Sequence, residues 1–118
     1  MNFRFPKSEK LKSKKEIKLL FTEGKTVTKY PIKLFFLPTQ NGQNTKAAFS
    51  VPKHRFKKAV DRNRIKRQIK EAYRHQKHLL KNNEDSRYLL FFLYIGKETA
   101  LYNTIDTSLV DVIKKINP

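Results

Sequence analysis

An α+β fold, with one mixed sheet and helices packed on it, is what three features of this 118-residue sequence predict. Residues 25–37 are rich in the β-branched and aromatic residues that suit strands, and residues 46–51 follow a polar turn as a returning strand. An eight-residue apolar run, residues 88–95, has the length and composition of a strand buried on both faces. Three further stretches carry apolar residues three and four apart, the spacing of a helix with one buried face. Their order, α-β-β-(β)-α-β-α, fits a two-layer sandwich. A chain this short supports one modest core, so residues 1–118 read as a single domain.

Taken in order, residues 1–12 form a basic arm with Phe3, Phe5 and Pro6, read as extended, and Leu11 is placed to pack near the first helix. Ser13 and Glu16 make a capping box: the Ser13 hydroxyl accepts from the Glu16 amide and the Glu16 carboxylate reaches back to Ser13. Ile17, Leu20 and Phe21 then give an apolar face, and Gly24 is expected to close the helix, over 13–23, in the left-handed conformation. Pro31 divides the next stretch into a short edge strand and a longer strand over 32–37. In the longer strand Ile32, Leu34 and Phe36 face one side, and Lys33, Phe35 and Leu37 the other. The polar segment 38–45 is expected to turn the chain, so that residues 46–51 return antiparallel as a hairpin partner. After Pro52 a connection through His54 and Phe56 leads to a long basic helix, starting near 57–61 and ending near Leu80, with Asn82 and Asn83 suited to its C-terminal turn. Residues 88–95, followed by Gly96, are the central strand. Ile105, Leu109, Val112, Ile113 and Ile116 lie on one stripe of a last helix over about 104–116, capped by Asn103 or Thr104.

The charge is strongly polarised. The chain carries a net +17 at pH 7, and residues 53–81 alone hold twelve Lys and Arg against Asp61 and Glu71. Residues 82–118 carry four basic and five acidic residues. A basic chain of this kind calls for an acidic polymer, and its cations sit in amphipathic, aromatic-containing segments rather than in a disordered tail. No apolar run is long enough for a membrane span or a secretory signal, so no membrane partner is expected. The absence of cysteine fits a reducing cytoplasm. His54, His75 and His78 suit solvent- or RNA-facing imidazoles better than metal ligands, and no metal site is assigned.

The basic helix is the sharpest signal. At about 100° per residue Ile65, Ile69, Ala72, Tyr73 and Leu80 form one stripe, while Asn63, Lys66, Arg67, Lys70, Arg74, Lys77 and Lys81 cover much of the remainder. A solvated surface helix would mix signs for i,i+4 pairing, whereas this face leaves its cations mostly unpaired, as a phosphate-binding face requires. Asp61 reads as a helix-start residue and Glu71 as the partner of Arg67 or Arg74. A second candidate surface combines Ile17 and Phe21 of the first helix with Lys33 and Phe35 of the strand, a cation beside rings on which an unpaired base could stack; simple core packing is the competing reading. The run 88–95 is assigned to the core. Hydrolysis by acid-base or metal chemistry would want paired or clustered carboxylates, yet only Asp61 and Glu71 fall in the basic region and both are read as structural, and the chain has just three scattered glycines, so no catalytic residue is assigned to the polypeptide itself.

These features leave a structural RNA-binding protein, such as a ribosomal component, and a helix-based DNA-binding regulator as alternatives. The regulator would want a second short helix beside the basic one, which is not found. At A-V-D-R-N-R-I-K-R, residues 59–67, the chain closely resembles the bacterial ribonuclease P protein family, whose signature helix reads A-V-x-R-N-R-x-K-R. The likeness extends to L-x5-I-x2-L-F-x2-G over residues 11–24, similar to that family's opening helix, and to S-V-P-K at 50–53, similar to its S-V-S-K element. In all it covers about residues 9–116.

The resemblance implies a left-handed βαβ crossover, against the usual hand. It also implies a catalytic RNA that, with Mg2+, cleaves the 5' leader from precursor tRNA while the protein binds both RNAs. The Mg2+ would be held through the RNA and none by the protein alone. The protein would be a cytoplasmic monomer when free, one copy per RNA. Carried over by position, Arg62, Asn63, Arg64, Lys66 and Arg67 would contact RNA, extended by Lys70 and Arg74, with Lys53, Lys57 and Lys58 on the approach to the helix. Ile17, Phe21 and Phe35, with Lys33, would line the leader cleft. Ile17 replaces a frequent Phe, Phe35 a frequent Tyr, Pro52 a common Ser and Lys57 a common Gly.

Overall fold

The computed structural model describes residues 7–39, 45–80 and 87–116. Phe3, Phe5 and Pro6 of the arm, most of the 38–45 turn, and Lys81, Asn82 and Asn83 lie outside these. A short 3-10 turn, Lys7–Glu9, leads to helix α1 (Lys14–Glu23), strands β1 (Lys25–Lys29), β2 (Ile32–Thr39) and β3 (Lys46–Ser50), helix α2 (Ala59–Gln76), strand β4 (Arg87–Tyr94) and helix α3 (Tyr102–Ile116). The sheet order is β1-β2-β4-β3. β1/β2 and β2/β4 are antiparallel and β3/β4 parallel, so the sheet is mixed, as expected, and β3-α2-β4 is its βαβ unit.

β3 does not return against β2 as a hairpin. The reason lies in β4: Tyr88, Leu90, Phe92 and Tyr94 are buried on one face and Leu89 on the other, so this strand needs cover on both faces and paired neighbours on both edges. It takes the place between β2 and β3. β2 also runs two residues beyond the expected end, since Pro38 and Thr39 pair with Tyr88 and Arg87.

The main sandwich is the sheet with α2 and α3. Ile65, Ile69, Ala72 and Tyr73 of α2, and Ile105, Leu109, Val112, Ile113 and Ile116 of α3, pack on Ile32, Leu34, Phe49, Leu90, Phe92 and Tyr94. α1 lies against the opposite face, where Leu11 and Leu20 meet Leu89, which adds a layer that the two-layer expectation did not include.

Local sequence sets the ends of the helices with some corrections. The Ser13 hydroxyl accepts from the Glu16 amide at 3.2 Å as expected, but the Glu16 carboxylate turns to Lys46 of β3, 3.2 Å away, so the box is half formed. Gly24 ends α1 in an extended conformation (φ −74°, ψ 165°), not a left-handed one. Its small size is what matters there: a Cβ would come within 2.9 Å of Leu20 Cδ1 and 3.0 Å of the Phe36 carbonyl. α3 begins at Tyr102, with the Leu101 carbonyl accepting from Thr104 and Ile105, so Asn103 and Thr104 lie inside its first turn rather than capping it.

Residues 9–11 run along the outer edge of β3. Lys10 bridges to Ala47, the Leu11 amide donates to the Ala47 carbonyl at 2.9 Å, and Glu9 accepts from Lys77 at 2.9 Å. This segment therefore ties the edge strand to the end of α2.

Candidate nucleic-acid interface

Two surfaces emerge from this packing, one on each side of the sheet. The first is α2. Its rotation is fixed by a ring cluster in which Tyr73 meets Phe92 at 5.4 Å and Phe49 at 5.7 Å, while Phe49 and Phe92 stack at 5.5 Å. Burial also pushes the Tyr73 hydroxyl pKa well above its usual range, with the Glu9 charge adding to it. With that stripe turned inward, Asn63, Arg64, Lys66 and Arg67 are exposed, Lys70 and Arg74 are half-buried, and Lys53, Lys57 and Lys58 are exposed on the connection before the helix.

The cations of this ridge differ in what they touch. Lys57, Lys58, Arg64, Lys66 and Arg67 have no acidic partner among the described residues. Arg74 instead makes a two-pronged contact with Glu71, through Nε at 3.2 Å and through Nη2, and His75 Nε2 lies 3.0 Å from the same carboxylate. Of the two partners expected for Glu71, the structure selects Arg74. Its hydrogen bond is the leading reason that the Glu71 carboxyl sits below its ordinary range. Lys77, expected on the open face, is bound to Glu9. The unpaired character expected of this face therefore holds for its first half and fails at Arg74 and Lys77.

Arg62 has a more specific arrangement. Its Nη1 donates to the Phe56 carbonyl at 2.8 Å and the Lys57 carbonyl at 2.9 Å, folding the guanidinium back over the preceding connection. Phe56 is itself buried, its ring 5.7 Å from that of Tyr94. Arg62 and Phe56 thus fix the path on which Lys57 and Lys58 are presented.

The second surface lies where α1 leaves the sheet uncovered. Leu20 is buried and Ile17 half-buried, which leaves Phe21 at the margin of α1, 47% exposed. Its ring packs edge-on against Phe35 of β2 and Phe91 of β4, both at 4.9 Å, and those two rings are 6.1 Å apart. Lys33 Nζ stands 5.2 Å from the Phe35 centroid. The four expected residues Ile17, Phe21, Lys33 and Phe35 are thus brought to one cleft, with Phe21 and Phe35 partly accessible rather than simple core. Phe91, read with the rest of its run almost wholly as core, is half-buried: it packs against the Leu11, Leu20 and Leu89 cluster and also adds a third ring beside Phe21 and Phe35. It pairs across the sheet with Phe35 and faces α1, opposite in direction to the buried Phe92. Alternation along the strand was the available signal, since residues one apart cannot share a face; the continuous apolar run concealed it. Three rings with a neighbouring ammonium group have the chemistry of a stacking platform for unpaired bases beside a phosphate-binding cation.

A ribonuclease P family model matches residues 5–117. A ribonuclease P protein component from Porphyromonas gingivalis is 35% identical over 115 residues, covering 91% of this chain and 82% of its own. One from Caldanaerobacter subterraneus is 36% identical over 111 residues, covering 92% and 90%. Among solved structures, the Thermotoga maritima RNase P protein superposes with a TM-score of 0.77 at 21% identity, covering 93% of this chain and 99% of that one. The Staphylococcus aureus protein does so with the same score at 19% identity, covering 92% and 95%. The fold is shared with both. With a family model spanning almost its entire length and relatives this similar, the chain belongs to the ribonuclease P protein family.

Proposed function

We propose that this chain is the protein subunit of a ribonucleoprotein endoribonuclease, in which it binds the catalytic RNA through α2 and the 5' leader of precursor tRNA in the aromatic cleft, assisting Mg2+-dependent maturation of the tRNA 5' end. The observation that carries this reading is the division of surfaces: a ridge of exposed cations on one side of the sheet and a cleft of three rings on the other. Structured RNA offers a dense phosphate lattice, which the ridge fits through charge-assisted contacts without demanding a particular base. A single-stranded leader offers exposed base faces, which suit rings.

Lys53, Lys57, Lys58, Asn63, Arg64, Lys66 and Arg67 would meet the catalytic RNA directly, with Lys70 at the flank. Arg74 would do so only by giving up or sharing Glu71. Arg62 would act chiefly by holding the connection that carries Lys57 and Lys58. The Mg2+ belongs to the RNA in this reading, and the subunit acts in the cytoplasm as one copy per RNA.

Reconstitution tests the reading. The purified protein is expected to leave precursor tRNA uncut alone, and, mixed with its cognate RNA, to lower the Mg2+ needed for cleavage and tighten precursor binding. Hydrolysis by the protein alone, or no change in either quantity on mixing, would remove it.

A further inference from the structure

Three connections meet at the end of the sheet where β2 begins and β4 ends, and at their junction stands Tyr30. This residue occupies the tip between β1 and β2 and is 62% exposed, more than Phe21. Its position is nevertheless fixed on several sides. The hydroxyl accepts from the Lys97 amide at 3.3 Å, and the backbone carbonyl accepts from the buried Ser108 hydroxyl at 2.9 Å. The Ile95 amide donates to the Pro31 carbonyl at 2.8 Å, and Arg55 Nη1 in turn donates to the Ile95 carbonyl, which brings the 51–58 connection to the same point.

A single exposed ring is ordinary on a protein surface. A ring already tied in place is different, because little ordering cost remains when something stacks on it. The surroundings select an anion. Lys29, Arg55 and Lys97 are exposed here, against Glu98. Lys33 pairs with Thr28 and Leu93 at this end of the sheet, so β2 leads from Phe35 past Lys33 towards the Tyr30 tip, where the chain turns over the sheet end and is held from the α3 side by Ser108. Five residues of strand span roughly 15 Å, a distance that a few nucleotides can cover.

We propose that Tyr30 is a second stacking platform, taking an unpaired nucleotide of the same precursor leader that lies in the cleft, beyond the three rings, while Lys29 and Lys97 meet the neighbouring phosphates. This rests on the cleft reading above. It adds that the leader's bound length exceeds what the cleft alone holds.

The test uses the reconstituted holoenzyme and precursors with leaders of graded length. Tyr30→Ala is expected to lose roughly 5- to 150-fold in affinity for leaders long enough to reach the tip, and nothing for shorter ones. Tyr30→Phe, which keeps the ring, should retain the gain from the longer leader. Tyr30→Leu, which keeps apolar bulk without a π face, should lose it, so a defect in folding is separable from a loss of stacking. Phe35→Ala should weaken every leader that reaches the rings. Equal affinities of Tyr30→Ala, Tyr30→Leu and the parent chain at all leader lengths, with Phe35→Ala still defective, would overturn the platform alone. No effect of Phe35→Ala would remove the cleft reading itself. Weakened binding of Tyr30→Ala to the catalytic RNA without precursor would assign the tip to that RNA and overturn the proposal.

Discussion

The ridge of α2 and the cleft beside α1 are built in opposite ways. The ridge is one continuous helix, and its exposed residues are set by the burial of four neighbours in the same eighteen-residue element. The cleft takes one ring from each of three elements, Phe21, Phe35 and Phe91, spread across seventy residues of chain and joined only by sheet register. A local surface tolerates most side-chain changes one at a time, because cations such as Arg64, Lys66 and Arg67 project without an acidic partner among the described residues. A composite one depends on the packing that brings its parts together.

The sharpest way to break this contrast is to compare adjacent residues of β4. Phe92→Ala removes a fully buried ring under α2 and is expected to cost about 3–5 kcal/mol in denaturant unfolding, with RNA binding lost as the helix loses its seat. Phe91→Ala should cost clearly less stability and act instead on single-stranded binding. Equal stability losses would show that Phe91 is core. Within the cleft, Phe35→Ala should weaken leader binding by about 1–3 kcal/mol, read by equilibrium titration, while the salt dependence stays unchanged, since no charge is removed.

Arg62 sharpens the comparison from the side of the ridge. Arg62→Lys keeps the charge but not the bond to two carbonyls, so if the clamp matters more than the charge, Lys and Ala should be similarly defective, each losing about 1–3 kcal/mol of stability. Hydrogen exchange over residues 56–58 should rise in both. Retention of parent-like behaviour by Arg62→Lys would return Arg62 to simple phosphate binding. Lys66→Ala and Arg67→Ala are milder: stability should change by no more than about 0.5 kcal/mol, and the slope of log affinity against log salt should fall by roughly 1 for each phosphate that is no longer neutralised.

The smallest effect expected is one of pH. Glu71 has a lowered folded-state pKa, so it binds protons less readily folded than unfolded, and its contribution is present above the ordinary glutamate range and lost as pH falls through the folded value. The pair is half-buried at the surface and screened by solvent, so the change should be slight. Glu71→Gln should flatten that part of an acid-unfolding profile and, by removing a negative charge from beside Arg74, make binding to RNA tighter at neutral pH. Unaltered affinity would show that the Arg74 pairing does not limit the ridge.

How far each region was legible follows from the same distinction. The α2 stripe, the Ser13 cap and the identity of β4 as the central strand could all be read from residues within a few turns of one another. Other features could not. The place of β3, the turn of Phe91 into the cleft and the choice of Lys46 by Glu16 each depend on which distant segment lies alongside. β3 shows why: its alternation fits equally an antiparallel return against β2 or a parallel place beside β4, and the need of β4 for two flanking strands decides between them.

The sequence by itself determined the helices, the inward stripe of α2 and the sign and location of the charge, because helical periodicity and charge are properties of consecutive residues. Only the tertiary structure decided the strand order, the third ring of the cleft, the backbone partners of Arg62 and the anchoring of Tyr30. Those are contacts between segments far apart in the chain, selected by how a two-sided strand is covered and by which polar groups then fall within bonding distance.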